Sequence, residues 1–546
     1  QTSNVNVDLQ PQASNIETIQ IVGSPLMAQS TNAALGTSLG AEVVSSLPIG
    51  QDYRDMLKIV PGVQYSEASV LGPAAGGSGA HNKYGFDGVD VSMPLFGNLA
   101  SEPSTHDIEM VSIERGGAKA IGFNRSGGFS INSKSKSGTN EFKGNIDYKI
   151  QNKSFSATPE DGVIEDRDKT WLTTSLSGPL IEDRLFFYGS YYRPEEEGSS
   201  RTTAYGAVKP YKSERDEYFG KLTWAATDDL LLNASYRDSD KEEIGDNIGQ
   251  FEADSVSQGG TAAQKIFTFD GTYILGDYTT LSFQASKFEL KTSGRPDVIL
   301  GVVPEAGGSL DIDNLEQMGY LSVPSLLPAD NAQAAVFNPG AQGLIDRYGY
   351  IEDGVRKGGG GVGAYSQFNN QNFFRDSIEL ALDHEIIGNE VVHSIHIGLK
   401  YNESEEELSR LSNGWGVITY NGGKADLALD STVTGINSGD VYYIASTEQM
   451  SFLNEQGQTV SPIYSSIKSL NLEINDTIEH GDFTYNIGVL ISKDTLYGQG
   501  LSPNSANGSG FELARGEKYK MYSFDWKDMI QPRLGVTWRY DGDDTV

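Results

Sequence analysis

The sequence predicts an antiparallel membrane β-barrel preceded by a mixed α/β domain. Three observations point there. After Thr139 short segments of alternating apolar and polar residues recur, about twelve in all, more than one soluble sheet usually carries. The connections between them alternate between very short and very long. No run of 18 or more apolar residues exists, so the helical route across a membrane is closed, whereas a membrane strand needs only about 9–11 residues with alternate ones apolar. The mean hydropathy of -0.37 is compatible with that route.

A period of two places alternate side chains on opposite faces of a strand. Phe142, Gly144, Ile146, Tyr148 and Ile150 interleave with Lys143, Asn145, Asp147 and Lys149. Leu230, Leu232, Ala234 and Tyr236 oppose Leu231, Asn233, Ser235 and Arg237, and Phe267, Phe269, Gly271 and Tyr273 oppose Thr268, Asp270 and Thr272. The pattern repeats with Leu470, Leu472 and Ile474 against Asn471, Glu473 and Asn475. It returns with Phe483, Tyr485, Ile487 and Val489 against Thr484, Asn486 and Gly488, and last with Leu534, Val536, Trp538 and Tyr540.

Short connections at 178–183, 227–229, 276–277 and 387–389 carry the Gly, Pro, Asn or Asp that tight hairpins demand. Long ones cover 151–169, 194–216, 239–264, 292–370, 405–466 and 495–528, and are polar without strong periodicity. Tight turns on one side and long loops on the other mark an outer-membrane barrel, as do aromatic residues at many strand ends. A soluble sandwich or propeller predicts neither feature. The stretch before Thr139 is different: residues 51–60 read as a short helix stopped by Pro61 and Gly62. A Gly/Ala/Ser-rich loop follows over 72–80, then a strand from Met110 to Glu114.

Composition excludes several functions. Lys+Arg 41 against Asp+Glu 74 gives a net charge of -33, without the basic footprint that phosphate recognition needs, so no nucleic-acid partner is expected. Zero cysteines remove disulfides, thiol nucleophiles and cysteine-ligated metals. His393 and His396 fall on opposite strand faces, which is wrong for ligating one metal. The run Gly358 to Gly363 lacks the Lys-Ser/Thr and helix of a phosphate loop and reads as a flexible external loop. Glu195, Glu196 and Glu197, and Glu405, Glu406 and Glu407, read as solvated loop bases, with calcium bridging as the alternative. No enzyme chemistry, cofactor or metal is expected.

Several motifs resemble a known family. Tyr84-Gly85-Phe86-Asp87-Gly88-Val89 looks like a plug strand ending in Asp-Gly. Residues 107–118, with Ile113-Glu114-Arg115-Gly116, resemble the plug element I-E-x-V-E-V-x-R-G. Residues 121–132 resemble the element Y-G-x-x-x-x-G-G-x-I-N that follows it, with Phe123 and Phe129 departing from the usual residues. These are hallmarks of TonB-dependent outer-membrane receptors. Residues 47–63 and 177–188 resemble the Oar-like branch. The resemblance spans roughly residues 16–240; beyond that the barrel pattern stands alone.

The resemblance implies a plug inside the lumen of a barrel in the bacterial outer membrane. A plugged lumen takes about 22 strands, so roughly ten more are expected beyond Val546, the wall breaking at a hairpin near Asp541 to Asp544. Gln1 opens in mature-looking polar sequence, and residues 1–15 read as the end of an N-terminal β-sandwich domain or a linker. Residues 16–24 are TonB-box-like, 25–138 the plug, and 139–546 the first part of the barrel with long extracellular loops. Glu17, Thr18, Ile19, Gln20, Ile21 and Val22 would bind TonB as an added strand; the alternative is an ordinary plug strand. In the family, arginines at the positions of Arg115 and Arg125 face acidic residues of the inner wall. Glu379 and Glu473 are inward candidates here, and solvated or structural charge is the other reading. Implied partners are TonB with its inner-membrane energy-coupling complex, outer-membrane lipid and an unidentified bulky solute. The rival reading is a structural or adhesive outer-membrane protein whose loops bind partners without transport. A soluble β-rich carbohydrate binder is a further one.

Overall fold

The computed structural model describes residues 35–545 except 41–52, 60–62, 64–81, 95–96, 98, 100–101, 116–118, 126–127, 156–166, 199–200, 306–307, 423–442, 451, 454–458, 507–510 and 541–542. The first sheet has five strands: β1 (Leu35–Gly40), β2 (Lys83–Phe86), β3 (Val89–Asp90), β4 (Ile108–Arg115) and β5 (Phe129–Ser135). Their order is β1-β4-β5-β2-β3, and β2 runs parallel to β5. The hairpin between β2 and β3 turns at Asp87 (φ 48) and Gly88 (φ 78), the left-handed conformation that an Asp-Gly pair adopts readily. The helix expected over 51–60 is a 3-10 helix, Tyr53–Ile59. It places Tyr53, Met56 and Leu57 against Phe86, Val111, Ile113, Phe129 and Ile131, all buried.

The second sheet is one antiparallel path of thirteen strands. In order they are β6 (Lys143–Gln151), β7 (Arg167–Ile181), β8 (Leu185–Gly198), β9 (Lys212–Ala225), β10 (Leu230–Asp246), β11 (Gln258–Ile274) and β12 (Thr279–Pro296). They continue with β13 (Gln367–Ile387), β14 (Val391–Ser412), β15 (Ile463–His480), β16 (Phe483–Pro503), β17 (Ile530–Tyr540) and β18 (Asp543–Thr545). A further strand, Phe511–Ser523, pairs with the outer half of β16, and β17 pairs with its inner half. Among the described residues β6 and β18 are the ends of the path and are not bonded to each other.

The sheet is turned inside out relative to a soluble one. Ile378 and Leu380 are 64% and 47% exposed, while Glu473 and Asn475 are 1% and 0% exposed. A wall whose outer solvent is lipid and whose lumen holds a domain requires that inversion. Trp224, Tyr273, Tyr278, Phe483 and Trp538 are exposed beside the short turns. Phe483 and Trp538 stack with centroids 5.9 Å apart. Turn residues Asp183 (φ 60), Gly276 (φ 76) and Gly481 (φ 57) take the left-handed backbone that tight hairpin connections of two to four residues use here.

Two expectations are corrected. Much of the long connections is not loop: β10 pairs with β11 from Leu230 to Asp246, and β13 and β14 are 21 and 22 residues long. Such ladders outrun the bilayer and carry the sheet beyond it. The run Gly358 to Gly363 is also no flexible loop, since Gly361–Gly363 is a buried strand between neighbours. A Cβ at Gly361 would collide with the Tyr320 ring, so close packing rather than mobility requires that glycine. Around it a small cap folds from several connections. Strand Tyr320–Ser322 pairs with Gly361–Gly363 and runs parallel to Val417–Tyr420. Helix α1 (Ala334–Tyr348) lays Ala341, Leu344, Ile345 and Tyr348 on that sheet, with Leu315, Leu321, Val362 and Ile418 in one core.

Candidate plug–barrel interface

The five-stranded domain meets the inner wall through buried polar contacts in three places. The apolar part of the contact is a row of inward side chains, Tyr188, Phe219, Ile266, Phe288, Leu290 and Phe373, that joins the domain's own core. Phe86 meets Phe219 edge-on at 5.7 Å.

The first polar contact forms where β8, β9 and β10 face the turn Thr105–Asp107. Arg237 and Glu217, both 1% exposed, pair through Nε–Oε1 at 2.9 Å and Nη2–Oε2 at 2.5 Å. Arg237 also donates to the Glu102 carbonyl at 2.9 Å and to Gln264, while the Ser104 N–H donates to Glu217 at 3.3 Å. Glu102 in turn accepts the Arg54 N–H at 2.9 Å and pairs with its guanidinium. Tyr188 donates to Asp107 at 2.9 Å. Burial, reinforced by the nearby Glu217 carboxylate, raises the Asp107 carboxyl to about 6.

In the second, the turn after β2 is held by β12 and β13. Gln284 donates to the Asp87 carbonyl at 2.7 Å. Arg375 donates to the carbonyls of Asp90 and Ser92 at 2.5 and 3.2 Å. From β9, Lys221 reaches the Ser135 carbonyl at 3.2 Å.

The third lies at residues 120–125, against β14, β15 and β16. Arg125 forms a two-pronged pair with Asp494, at 2.7 and 3.2 Å, and touches Asn471 at 3.4 Å. The Ala120 N–H donates to Asn475 at 3.1 Å. The Gly122 and Phe123 N–H groups donate to the two oxygens of Glu473 at 2.9 and 2.7 Å.

Arg125 thus meets Asp494 rather than Glu379 or Glu473; Glu379 instead pairs with Lys400 of the wall at 3.1 Å. Arg115 closes β4, its backbone opposite Phe129 and Leu35, and its side chain lies outside the described residues. So do Glu17, Thr18, Ile19, Gln20, Ile21 and Val22. The sequence reading did not single out Glu217 or Asp494; it placed Arg237 only on the polar face of a strand and considered His396 only as a metal ligand, which it rejected. Their signal was available: each is an ionisable residue on the polar face of an alternating strand, where a soluble sheet would expose it. The acidic loop bases are met by donors: Glu195 by Arg193, Glu196 by Arg167, Glu197 by Lys212 and Glu405 by Lys518. Amides of Gln371 and Asn372 meet Glu406 and Glu407. Among the described residues no group of three or more His, Asp or Glu is placed to hold a metal ion.

This fold, a five-stranded domain docked on the polar face of a long antiparallel wall, is similar to that of solved outer-membrane transporters. The outer membrane transporter YddB from Escherichia coli superposes with a TM-score of 0.57 at 14% identity, covering 93% of this chain and 59% of that one. The unliganded ferric citrate transporter FecA gives 0.55 at 12%, covering 93% and 61%. In sequence, the chain is 25% identical over 272 residues to the TonB-dependent transporter Oar of Myxococcus xanthus, 42% of this chain and 25% of that protein. In sequence and in fold the chain is similar to TonB-dependent outer-membrane receptors.

The chain also resembles PirA of Acinetobacter baumannii, described as a probable TonB-dependent siderophore receptor, with 24% identity over 249 residues, 40% of this chain and 31% of PirA. No protein-family profile matches it. The aligned stretches span only between a quarter and a third of the length of these curated relatives. The receptor resides in the outer membrane.

Proposed function

We propose that this receptor moves a bulky solute across the outer membrane, uptake being the leading direction and export the other, and that it carries out no reaction of its own. The observation that carries the reading is the plug. A folded domain occupies the polar face of the wall, and it is held by ion pairs and hydrogen bonds rather than by apolar contact alone. Buried polar contacts hold a domain firmly yet part when their partners are re-solvated, which suits an occluding element that must move. The cap folded from the outer connections supplies a preformed surface for recognition.

In this reading residues 25–138 occlude the lumen and 139–546 form the first part of a wall of about 22 strands. Residues 16–24 add as a strand to TonB, which transmits force from the inner-membrane energy-coupling complex. Residues 1–15 precede that segment as linker or domain end. Arg125, through its pair with Asp494, is one of the residues that hold the plug, and Arg115 is assigned the same role by position. The names of Oar, PirA and FecA associate those proteins with transport, siderophores and ferric citrate. For this chain siderophores, vitamins, oligosaccharides and peptides all suit an enclosed path under a folded cap. The Oar-like branch is favoured by the 25% identity to Oar.

Deleting residues 17–22 separates transport from a structural or adhesive role. Transport requires that the deletion abolish solute-dependent growth or accumulation while the protein still assembles in the outer membrane. Unchanged accumulation with normal assembly would sink the proposal and favour the adhesive reading.

A further inference from the structure

We infer that His396 is a positioning residue: it orients the Glu473 carboxylate that clasps the plug turn 120–125, so that the turn is docked through its backbone amides and not through Arg125 alone. The turn presents its amides unusually. Gly122 (φ 75) and Phe123 (φ 50) are both left-handed, and their two N–H groups converge on one carboxylate. Successive amides in such a conformation form a concave anion site. For Phe123 the left-handed backbone is unfavourable, so the turn keeps this shape only while a partner offsets the strain. Glu473 is that partner.

The wall is shaped to receive the turn. A Cβ at Gly398 would lie 2.9 Å from the Phe123 ring and 2.8 Å from the Glu473 side chain. A Cβ at Gly488 would lie 2.9 Å from that of Ala120. Neither glycine has a positive φ, so what the missing side chain permits is close packing, by Glu473 and Asn475 of the neighbouring strand and by the plug turn together.

Glu473 is 1% exposed, and a buried carboxylate keeps its place only if its lone pairs are filled. Two fillers come from the plug. The third is His396, whose Nε2 stands 2.9 Å from Glu473 Oε1. Its Nδ1 stands 2.7 Å from Asp383 Oδ1 on β13. Carboxylate oxygens flank both ring nitrogens, so the imidazole is fixed in plane and Glu473 is braced from behind. The other charged groups around the clasp are Lys400, paired with Glu379 and 5.6 Å above the Phe123 ring, and Lys83 of the plug, which donates to the Gly122 carbonyl at 2.8 Å. Among the described residues neither forms an ion pair or hydrogen bond with the Glu473 carboxylate, so bracing falls to His396.

The test uses the full-length receptor in detergent, with a nitroxide on Ile121→Cys; the chain has no cysteine of its own. Electron paramagnetic resonance reads the mobile fraction of the turn, without solute or TonB, so the outcome is independent of the uptake reading. Heat-dependent gel mobility checks that the barrel is folded. His396→Phe and Glu473→Gln are each expected to raise the mobile fraction roughly tenfold. The double variant is expected to match Glu473→Gln alone, because both substitutions break one contact. His396→Gln keeps one N–H toward Glu473 and is expected to restore most of the docking. Arg125→Ala removes the separate Asp494 pair, and its effect adds to that of His396→Phe. A label that stays immobile in His396→Phe, or additive effects of His396→Phe and Glu473→Gln, overturns the inference and leaves His396 a packing residue.

Discussion

Asp107 shows how one residue couples plug docking to pH. Its carboxyl is buried beneath Tyr188 and raised by that burial to about 6, from an ordinary 3.8. A carboxyl raised in the folded state favours folding fully below its unfolded value, and that contribution is lost as pH rises through the folded one. Ionised Asp107 is therefore a liability at neutral pH, on the order of 2–3 kcal/mol at most. Asp107→Asn keeps an oxygen to accept the Tyr188 hydroxyl. It is expected to raise the melting temperature relative to the parent at pH 7 and to change it little at pH 4. A melting difference that does not vary with pH would falsify this assignment. Burial of this kind was not legible: in sequence Asp107 is one acid in a plug motif, and only the wall behind it removes its water.

At the scale of elements, the outer cap is the part the sequence concealed most. Helix α1 carries Ala341, Leu344, Ile345 and Tyr348 at helical spacing, a signal present in the chain but interrupted by Pro339 and Gly340. The short strands beside it are too brief to show periodicity. Asn413 ties the cap to the barrel rim. Its Nδ2 donates to the carbonyls of Val298 and Tyr365 at 2.9 and 3.0 Å, and its Oδ1 accepts the Leu300 N–H at 3.0 Å. Replacing it with Ala removes the side-chain partner of three backbone groups, two of them at half-buried residues, at a cost of about 1–3 kcal/mol. Hydrogen exchange is expected to rise at Val298–Leu300 and Tyr365 while the wall strands keep their protection. Equal protection in both proteins argues against this role.

For the whole molecule, the decisive feature is the inversion of the wall. Leu380 faces lipid while the adjacent Glu379 faces the lumen and pairs with Lys400. A one-residue change of position therefore exchanges two solvents. Leu380→Arg is expected to cost about 2–4 kcal/mol of folding stability in lipid vesicles if it lies near the bilayer midplane. Glu379→Gln, on the other face, is expected to fold in the same vesicles with a far smaller loss. Equal stability of both variants contradicts the assigned orientation.

What the sequence by itself determined is local and periodic. Alternation set the strands and their two faces, from Phe142 to Tyr540. Gly and Asp set the tight turns, and the motifs around Asp87 and Arg125 set the plug segments. These features need only near neighbours, because a period of two and a left-handed turn are properties of a few consecutive residues. The tertiary structure alone decided which polar residues meet. Glu217 finds Arg237 twenty positions away in sequence, Arg125 finds Asp494 across most of the chain, and Glu473 finds two amides of a plug turn. Such pairs depend on where the plug seats in the wall, and seating is set by the summed shape of two sheets rather than by any segment of either.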